Sequence, residues 1–184
     1  MSKVIFLDRD GVINKEVGYL HEIDKFVFIN EVFETMEYIQ ELGFKLIIVT
    51  NQSGIGRGKY SIEDFKKLNN WMLNEFSHRG INILEVFFCP HAPEDNCLCR
   101  KPKPGLFHEA IRKYNLNKEE SWMIGDSERD ITAAKLAGIL NTVIVRTGHQ
   151  IDENSTKAEF ICDSIKDIKE IIGANHHGNQ EGSS

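Results

Sequence analysis

Residues 3–8 read KVIFLD, and Arg9-Asp10-Gly11 follow directly. Four consecutive apolar residues that end in acid predict a short strand buried on both faces, which is typical of a parallel sheet. Similar apolar runs follow along the chain, at residues 44–50, 83–88, 122–124, 142–145 and 159–162. The sequence therefore predicts a sheet of several buried strands, of which residues 3–8 form the first.

Segments with the apolar spacing of helices separate these strands. Asn30 stands where it could cap a first helix that ends at Gly43, and Ser61 with Asp64 is in capping-box register for a second. Further helical spacing occurs at residues 106–114, 131–137 and 164–172. The alternation of strand and helix predicts an α/β fold, a doubly wound, Rossmann-like parallel sheet that binds ligands at the carboxyl ends of its strands.

Length and composition limit the possible classes of protein. The 184 residues suit one domain, expected over residues 1–173, and the polar segment 174–184 is expected to be a disordered tail. The net charge of −6 argues against non-specific binding to nucleic acid or to an anionic membrane. The N-terminus resembles neither a signal peptide nor a spanning helix, so we expect a cytoplasmic protein, and a monomer is the default expectation.

Polar residues stand where the predicted strands end. Asp8 and Asp10 follow the first strand, Thr50 ends the second, Lys101 lies just beyond the third, and Asp126 follows the fourth. Side chains two apart on a strand share a side, so Asp8 and Asp10 are predicted to crowd together and to need a cation between them. Mg²⁺ prefers carboxylates, waters and phosphate oxygens. Each residue alone also has an ordinary role, as a cap, a β-favouring side chain or a surface charge, but those roles leave the convergence unexplained.

Four motifs in this order resemble the haloacid dehalogenase superfamily of phosphatases: DRDGV (8–12), TNQSG (50–54), RKPKPG (100–105) and GDSERD (125–130). The resemblance implies that Asp8 is the nucleophile and Asp10 the acid and base. It also implies that Thr50 and Lys101 stabilise the phosphoryl group. Magnesium would bind Asp8, the Asp10 backbone carbonyl and Asp126. Residues 14–44 leave no room for a large helical cap domain.

A second metal site is predicted from the set Cys89-x-His91-x5-Cys97-x-Cys99. Three cysteines and one histidine supply four ligands with no open position, which is typical of structural zinc. The alternative is a cluster of reduced cysteines without metal. Because Cys99 lies two residues before Lys101, we expect bound zinc to fix where that lysine points.

The zinc loop joined to DRDGVIN, EVGY (16–19) and TNQSGIGRG (50–58) resembles the branch of that superfamily that dephosphorylates heptose bisphosphates for surface polysaccharides. The resemblance implies a sugar bisphosphate substrate recognised by Glu16, Val17, Gly18, Tyr19, Thr50, Asn51, Gln52, Ser53, Arg100 and Lys101. One departure is Ser127, where that branch commonly has lysine. Arg57 is either a cation for a second anionic group or a solvated loop charge.

Three other functions remain open at this point. A histidinol-phosphate phosphatase has the same motifs and the same zinc loop. A non-catalytic, zinc-stabilised phosphosugar-binding protein could keep the fold, although binding alone needs no second carboxylate beside Asp8. A nucleic-acid end phosphatase fits the DxDG motif but not the acidic net charge.

Overall fold

The computed structural model describes residues 1–181, with side chains described through Asn175. Its sheet has six parallel strands in the order β3-β2-β1-β4-β5-β6. The strands are β1 (Val4–Leu7), β2 (Lys45–Asn51), β3 (Ile83–Cys89), β4 (Trp122–Gly125), β5 (Asn141–Val145) and β6 (Phe160–Cys162). The strand order reverses between β1 and β4, and this reversal is the position where open α/β sheets bind ligands.

Helices cover both faces of the sheet. They are α1 (Val32–Glu41), the single turn α2 (Ser53–Gly56), α3 (Ile62–Ser77), α4 (Gly105–Tyr114), α5 (Glu128–Leu136) and α6 (Ile168–Glu181). One apolar core packs α1, α3 and α6 against the sheet, and a second packs α4 and α5 against the other face. Ile5 and Leu7 of β1 belong to the first core, and Val4 and Phe6 to the second, so burial on both faces explains the continuous apolar run. The predicted doubly wound fold is confirmed.

The helix boundaries agree with the sequence in some places and differ in others. Ser61 and Asp64 form the predicted capping box at the start of α3. The prediction that Asn30 caps α1 is wrong, because Glu31, with φ of 63°, occupies the N-cap position. The turn α2 was not predicted; its four residues are too few to show a periodic pattern.

The last helix extends into the segment that was expected to be disordered. It runs to Glu181, and Asn175 Nδ2 donates to the Ile171 carbonyl 2.7 Å away. Buried Ile168 and Ile172 anchor its first turns, and a helix that has started extends at little cost even through polar residues. The division into a domain and a tail stays a prediction, and residues 182–184 lie outside the described part of the chain.

Two further features bear on function. Residues 14–44 are described throughout and contain only a short 3₁₀ turn (Ile23–Lys25) and α1, so no cap domain covers the strand ends there. Among the described residues, no helix has both the length and the apolar character that a membrane-spanning segment requires.

Candidate active site

Three carboxylates meet where the strand order reverses. Asp8 follows β1, Asp126 follows β4, and Asp130 lies in the first turn of α5. One oxygen from each lies within 4.8 Å of the others, and Asp126 and Asp130 are each only 1% exposed. Buried carboxylates this close repel one another unless a cation lies between them. The donor set is all oxygen, which suits Mg²⁺.

Lys101 is the positive charge already built into this cluster. Its Nζ lies 2.7 Å from Asp130 Oδ1 and 3.1 Å from Asp8 Oδ1, and it donates to the Val49 carbonyl at 2.8 Å. Asn51 holds its backbone from both sides: Lys101 N donates to Asn51 Oδ1 at 3.0 Å, and Asn51 Nδ2 donates to the Lys101 carbonyl at 3.1 Å. The ammonium group is therefore fixed beside Asp8.

The charges of the cluster shift one another's pKa. Burial, followed by repulsion from Asp130, holds the pKa of Asp8 well above its usual range. Burial and Asp130 likewise raise the pKa of Asp126 to about 6. Burial alone would lower the pKa of Lys101, but Asp130 and Asp8 outweigh it and raise that pKa. The site therefore resists full ionisation of its carboxylates, and a bound cation would reverse that tendency.

Asp10 has a different environment from Asp8. Arg9 and Asn14 each donate to Asp10 Oδ1 at 3.0 Å, and Gln52 Nε2 lies 3.3 Å from Asp10 Oδ2. Arg9 is 1% exposed, so its contact with Asp10 is shielded from solvent. The sequence predicted that the Asp10 carboxylate would crowd against Asp8 around a cation. The structure instead gives Asp130 as the third carboxylate of the cluster.

Two connected cavities open over these residues. A deep cavity of about 70 Å³ is lined by Asp8, Lys101, Asp126, Ser127 and Asp130. An outer cleft of about 250 Å³ is lined by Gly18, Tyr19, Leu20, Gln52, Ser53, Gly54, Tyr60 and Arg100. Residues that line both are Asp10, Glu16, Asn51, Arg129 and His149. The nucleophile candidate therefore lies at the bottom of a cleft with room for a larger organic group above it.

The cysteine and histidine set also comes together. Cys89 Sγ lies 2.9 Å from Cys99 Sγ, 3.6 Å from Cys97 Sγ and 3.4 Å from His91 Nδ1. All four ligand atoms lie within 4.8 Å of one another, as a closed tetrahedral site requires. Burial raises the pKa of Cys89 and of Cys99, whereas at Cys97 hydrogen bonds from the Arg100 backbone and from Cys89 outweigh burial and lower the pKa to about 6. A thiolate is the form that binds metal.

Comparison with known proteins assigns the chain to a family. Residues 98–168 match a family model described as HAD-hydrolase-like. The D-glycero-beta-D-manno-heptose-1,7-bisphosphate 7-phosphatase of Pasteurella multocida is 42% identical over 94% of this chain and 97% of its own. The D-glycero-alpha-D-manno-heptose-1,7-bisphosphate 7-phosphatase of Photorhabdus laumondii is also 42% identical, over 92% of this chain and 96% of its own. The chain belongs to the heptose bisphosphate phosphatase family.

A solved structure of the same family agrees with this assignment. The D,D-heptose 1,7-bisphosphate phosphatase of B. bronchiseptica, crystallised with magnesium and phosphate, superposes with a TM-score of 0.84 at 27% identity. The alignment covers 94% of this chain and 99% of that one. The likeness therefore extends over the whole fold, including the parallel sheet whose strand ends carry the carboxylates.

Most residues predicted to recognise substrate in this family member do line the cavities. Glu16, Gly18, Tyr19, Asn51, Gln52, Ser53 and Arg100 line the outer cleft, and Lys101 lines the deep cavity. Val17 is half exposed and lines neither, and neither does Thr50. Thr50 is buried, and its hydroxyl accepts a hydrogen bond from Gln52 Nε2 at 2.9 Å. The roles of these residues stay predictions.

Three site residues of this family member were missed. Asp130 and Arg129 lie inside the GDSERD motif, but only Asp126 of that motif was assigned a role. His149 was assigned no role from the sequence, yet its Nδ1 lies 2.7 Å from Asp126 Oδ2. The one available signal was the spacing of Asp126 and Asp130. They are four residues apart at the start of a helix, and this spacing places the Asp130 carboxylate beside that of Asp126.

Proposed function

We propose that this chain removes the 7-phosphate of D-glycero-D-manno-heptose 1,7-bisphosphate through a phosphorylated Asp8. The observation that carries the proposal is the position of Asp8, at the floor of a two-part cleft and 3.1 Å from the buried ammonium group of Lys101. A carboxylate beside a fixed cation is poised to attack a phosphoryl group whose charge that cation neutralises. The family assignment supplies the sugar bisphosphate.

In the first half-reaction, a carboxylate oxygen of Asp8 attacks phosphorus. A P–O bond to Asp8 forms while the bond from phosphorus to the sugar oxygen breaks, and Asp10 donates its proton to that oxygen. Lys101 stabilises the charge on the transferring group, because its position is fixed before substrate arrives. The dephosphorylated sugar, which keeps its 1-phosphate, then leaves the cleft.

In the second half-reaction, Asp10 is a carboxylate and accepts a proton from the attacking water. The P–O bond to Asp8 breaks and inorganic phosphate is released. The anchor of Arg9, Asn14 and Gln52 supports this double role, since it holds the same carboxyl group in place for both transfers. Asp10 thus ends the cycle protonated, ready for the next substrate.

The carboxylate cluster fits magnesium. Asp8 and Asp126 would hold the ion, as predicted, with Asp130 close by as the third carboxylate. Bound magnesium supplies further electrostatic stabilisation of the phosphoryl charge. His149, whose Nδ1 and backbone N both lie near Asp126 Oδ2, orients that ligand.

The second donor set fits zinc in a structural role. Cys89, His91, Cys97 and Cys99 supply four ligands and leave no position for substrate. The loop is tied to the site at two points: Gln52 N donates to the Cys89 carbonyl at 2.8 Å, and Lys101 follows Cys99 by two residues. Zinc therefore orders the segment that carries Arg100 and Lys101, without touching the reacting atoms.

A direct comparison of substrates tests the proposed function. Phosphate release is measured with Mg²⁺ for both anomers of heptose 1,7-bisphosphate and for histidinol phosphate. We expect kcat/KM to favour a heptose anomer by more than about a hundredfold, or ~2.7 kcal/mol of differential transition-state binding. Preference for histidinol phosphate would refute the substrate, and turnover that persists in Asp8→Asn would refute the mechanism. If the wild type hydrolyses no phosphate ester, the result would favour the alternative of a non-catalytic phosphosugar-binding protein.

A further inference from the structure

Arg129 is an exposed arginine at the cleft, and no described residue pairs with its side chain. It lies in the first turn of α5 and lines both the deep cavity and the outer cleft. In the part of the chain that the structure describes, Arg129 makes neither a side-chain hydrogen bond nor an ion pair, unlike Arg146, which pairs with Glu153 and Asp163. An arginine that extends into a cleft unpaired is available for an anionic ligand.

Arg100 brings a second guanidinium group to the same outer cleft. Its Nη1 is buried and has no hydrogen-bond partner among the described residues. A buried donor without a partner is costly, and because Arg100 lines the cleft, a ligand bound there could supply the missing acceptor. The two arginines lie in different segments of the chain, one next to the zinc loop and the other in α5, and the fold brings them to one cleft.

The acidic residues that line the outer cleft, Asp10 and Glu16, form no ion pair with these arginines. Asp10 is engaged by Arg9, Asn14 and Gln52, while Glu16 Oε1 accepts from the Gly18 backbone at 2.8 Å. Neither carboxylate pairs with a cleft arginine. The outer cleft therefore has two arginines on its walls that form no ion pair with the carboxylates lining the same cleft. That pattern favours a doubly charged anion above the reacting phosphoryl group.

We infer that Arg129, acting together with Arg100, binds the phosphate that stays on the sugar. This rests on the proposed function, because it requires a substrate with a second phosphate. With one phosphate at Asp8 in the deep cavity, the sugar extends into the outer cleft and carries its other phosphate past Arg129. Arg57 was a candidate for this contact from the sequence, but it lines neither cavity.

The test compares two substrates and three variants. Arg129→Ala, Arg129→Lys and Arg112→Ala are assayed with heptose 1,7-bisphosphate and with heptose 7-phosphate, which lacks the second phosphate. Arg112 is an exposed arginine of α4 outside both cavities, so its variant controls for the loss of one positive charge. We expect Arg129→Ala to lower kcat/KM at least tenfold more for the bisphosphate than for the monophosphate, mainly through KM. Arg129→Lys should recover part of that difference.

An equal loss for both substrates, or no loss, would overturn the inference. A binding measurement separates its failure from failure of the proposed function. Titration of Asp8→Asn with the bisphosphate should give a Kd that rises at least tenfold when Arg129→Ala is added. If the wild type fails to hydrolyse the bisphosphate, the proposed function is refuted; unchanged affinity in this titration refutes the role of Arg129 independently.

Discussion

Replacing Asp8 by asparagine should abolish turnover and, in the absence of Mg²⁺, make the protein more stable. Asparagine has the same shape, and its oxygen can still accept from Arg9 N and Lys101 Nζ, at 2.8 and 3.1 Å. Its amide can donate to Asp126, whose oxygen lies within 4.8 Å. The change therefore removes a negative charge while it keeps the contacts of the side chain.

The magnitude follows from the distances. With an effective dielectric constant of 20, the 3.1 Å contact between Asp8 and Lys101 is worth about 5 kcal/mol of attraction. Charges on Asp126 and Asp130, no more than 4.8 Å away, each repel Asp8 by about 3.5 kcal/mol or more. When all three carboxylates are ionised, the two repulsions exceed the attraction, and burial of the Asp8 charge acts in the same direction, so removal of the charge should raise the free energy of unfolding by about 1.5 kcal/mol. That corresponds to roughly 3–6 °C in Tm for a chain of this size.

Urea and thermal unfolding of both proteins in Mg²⁺-free buffer is the appropriate assay. A chelator must be left out, because it would also remove zinc. Asp24→Asn is the matched control, since Asp24 is exposed and the same chemical change there should alter stability by less than about 0.5 kcal/mol. Added Mg²⁺ should stabilise the wild type far more than Asp8→Asn. A metal-free Asp8→Asn protein less stable than the wild type would refute the reasoning.

Three further predictions concern the other charged groups and the zinc loop. Asp130→Ala should destabilise the protein by about 3 kcal/mol in urea unfolding, because it removes the nearer carboxylate partner of Lys101 and the acceptor of two backbone N–H groups, of which that of Asp126 is buried. A neutral result would contradict this. The Cys99→Ser protein should lose the bound zinc, measured colorimetrically, and its kcat should change by a larger factor than its KM. The Cys162→Ser protein should keep the metal. In Mg²⁺-free protein, ionisation of Asp126 should reduce stability as pH rises from about 4 to about 6, because its pKa of about 6 lies above the ordinary 3.8. Across that range, the free energy of unfolding of Asp126→Asn should rise by up to ~3 kcal/mol relative to that of the wild type. A difference that does not change with pH would argue against this prediction.

The fold was predictable because its signals are local. Each strand is a short apolar run, buried on both faces, and the strand ends meet at one edge of a parallel sheet by topology alone. Asp8, Lys101 and Asp126 were therefore brought together correctly without knowledge of any contact. The outer cleft, in contrast, depends on where side chains point, and the sequence did not reveal that Val17 points away from it or that Thr50 is occupied by Gln52.

Asp10 and Asp130 show where the observed cluster of carboxylates differs from the one expected from the sequence. The prediction extended strand alternation from Asp8 to Asp10, but β1 ends at Leu7 and the chain turns at Gly11, where φ is 87°. Alternation fails outside the strand, so the Asp10 side chain is free to reach Arg9 and Asn14. Asp130 lies in the first turn of a helix, a position where acidic residues commonly cap, and its ordinary role concealed its contact with Lys101.

The two carboxylates that hold Lys101 have opposite effects on stability for a structural reason. Asp130 has both oxygens occupied, one by Lys101 and the other by the backbone N–H groups of Asp126 and Ser127, so it stabilises the fold while it positions the cation. Asp8 accepts contacts that an amide would satisfy as well, and its charge is needed for the proposed metal site and for the attack on phosphorus rather than for the fold. Stability and activity should therefore fall together at Asp130 and move in opposite directions at Asp8. That contrast separates Asp130, which the fold needs, from Asp8 and Asp126, whose charges the fold tolerates only at a cost in stability.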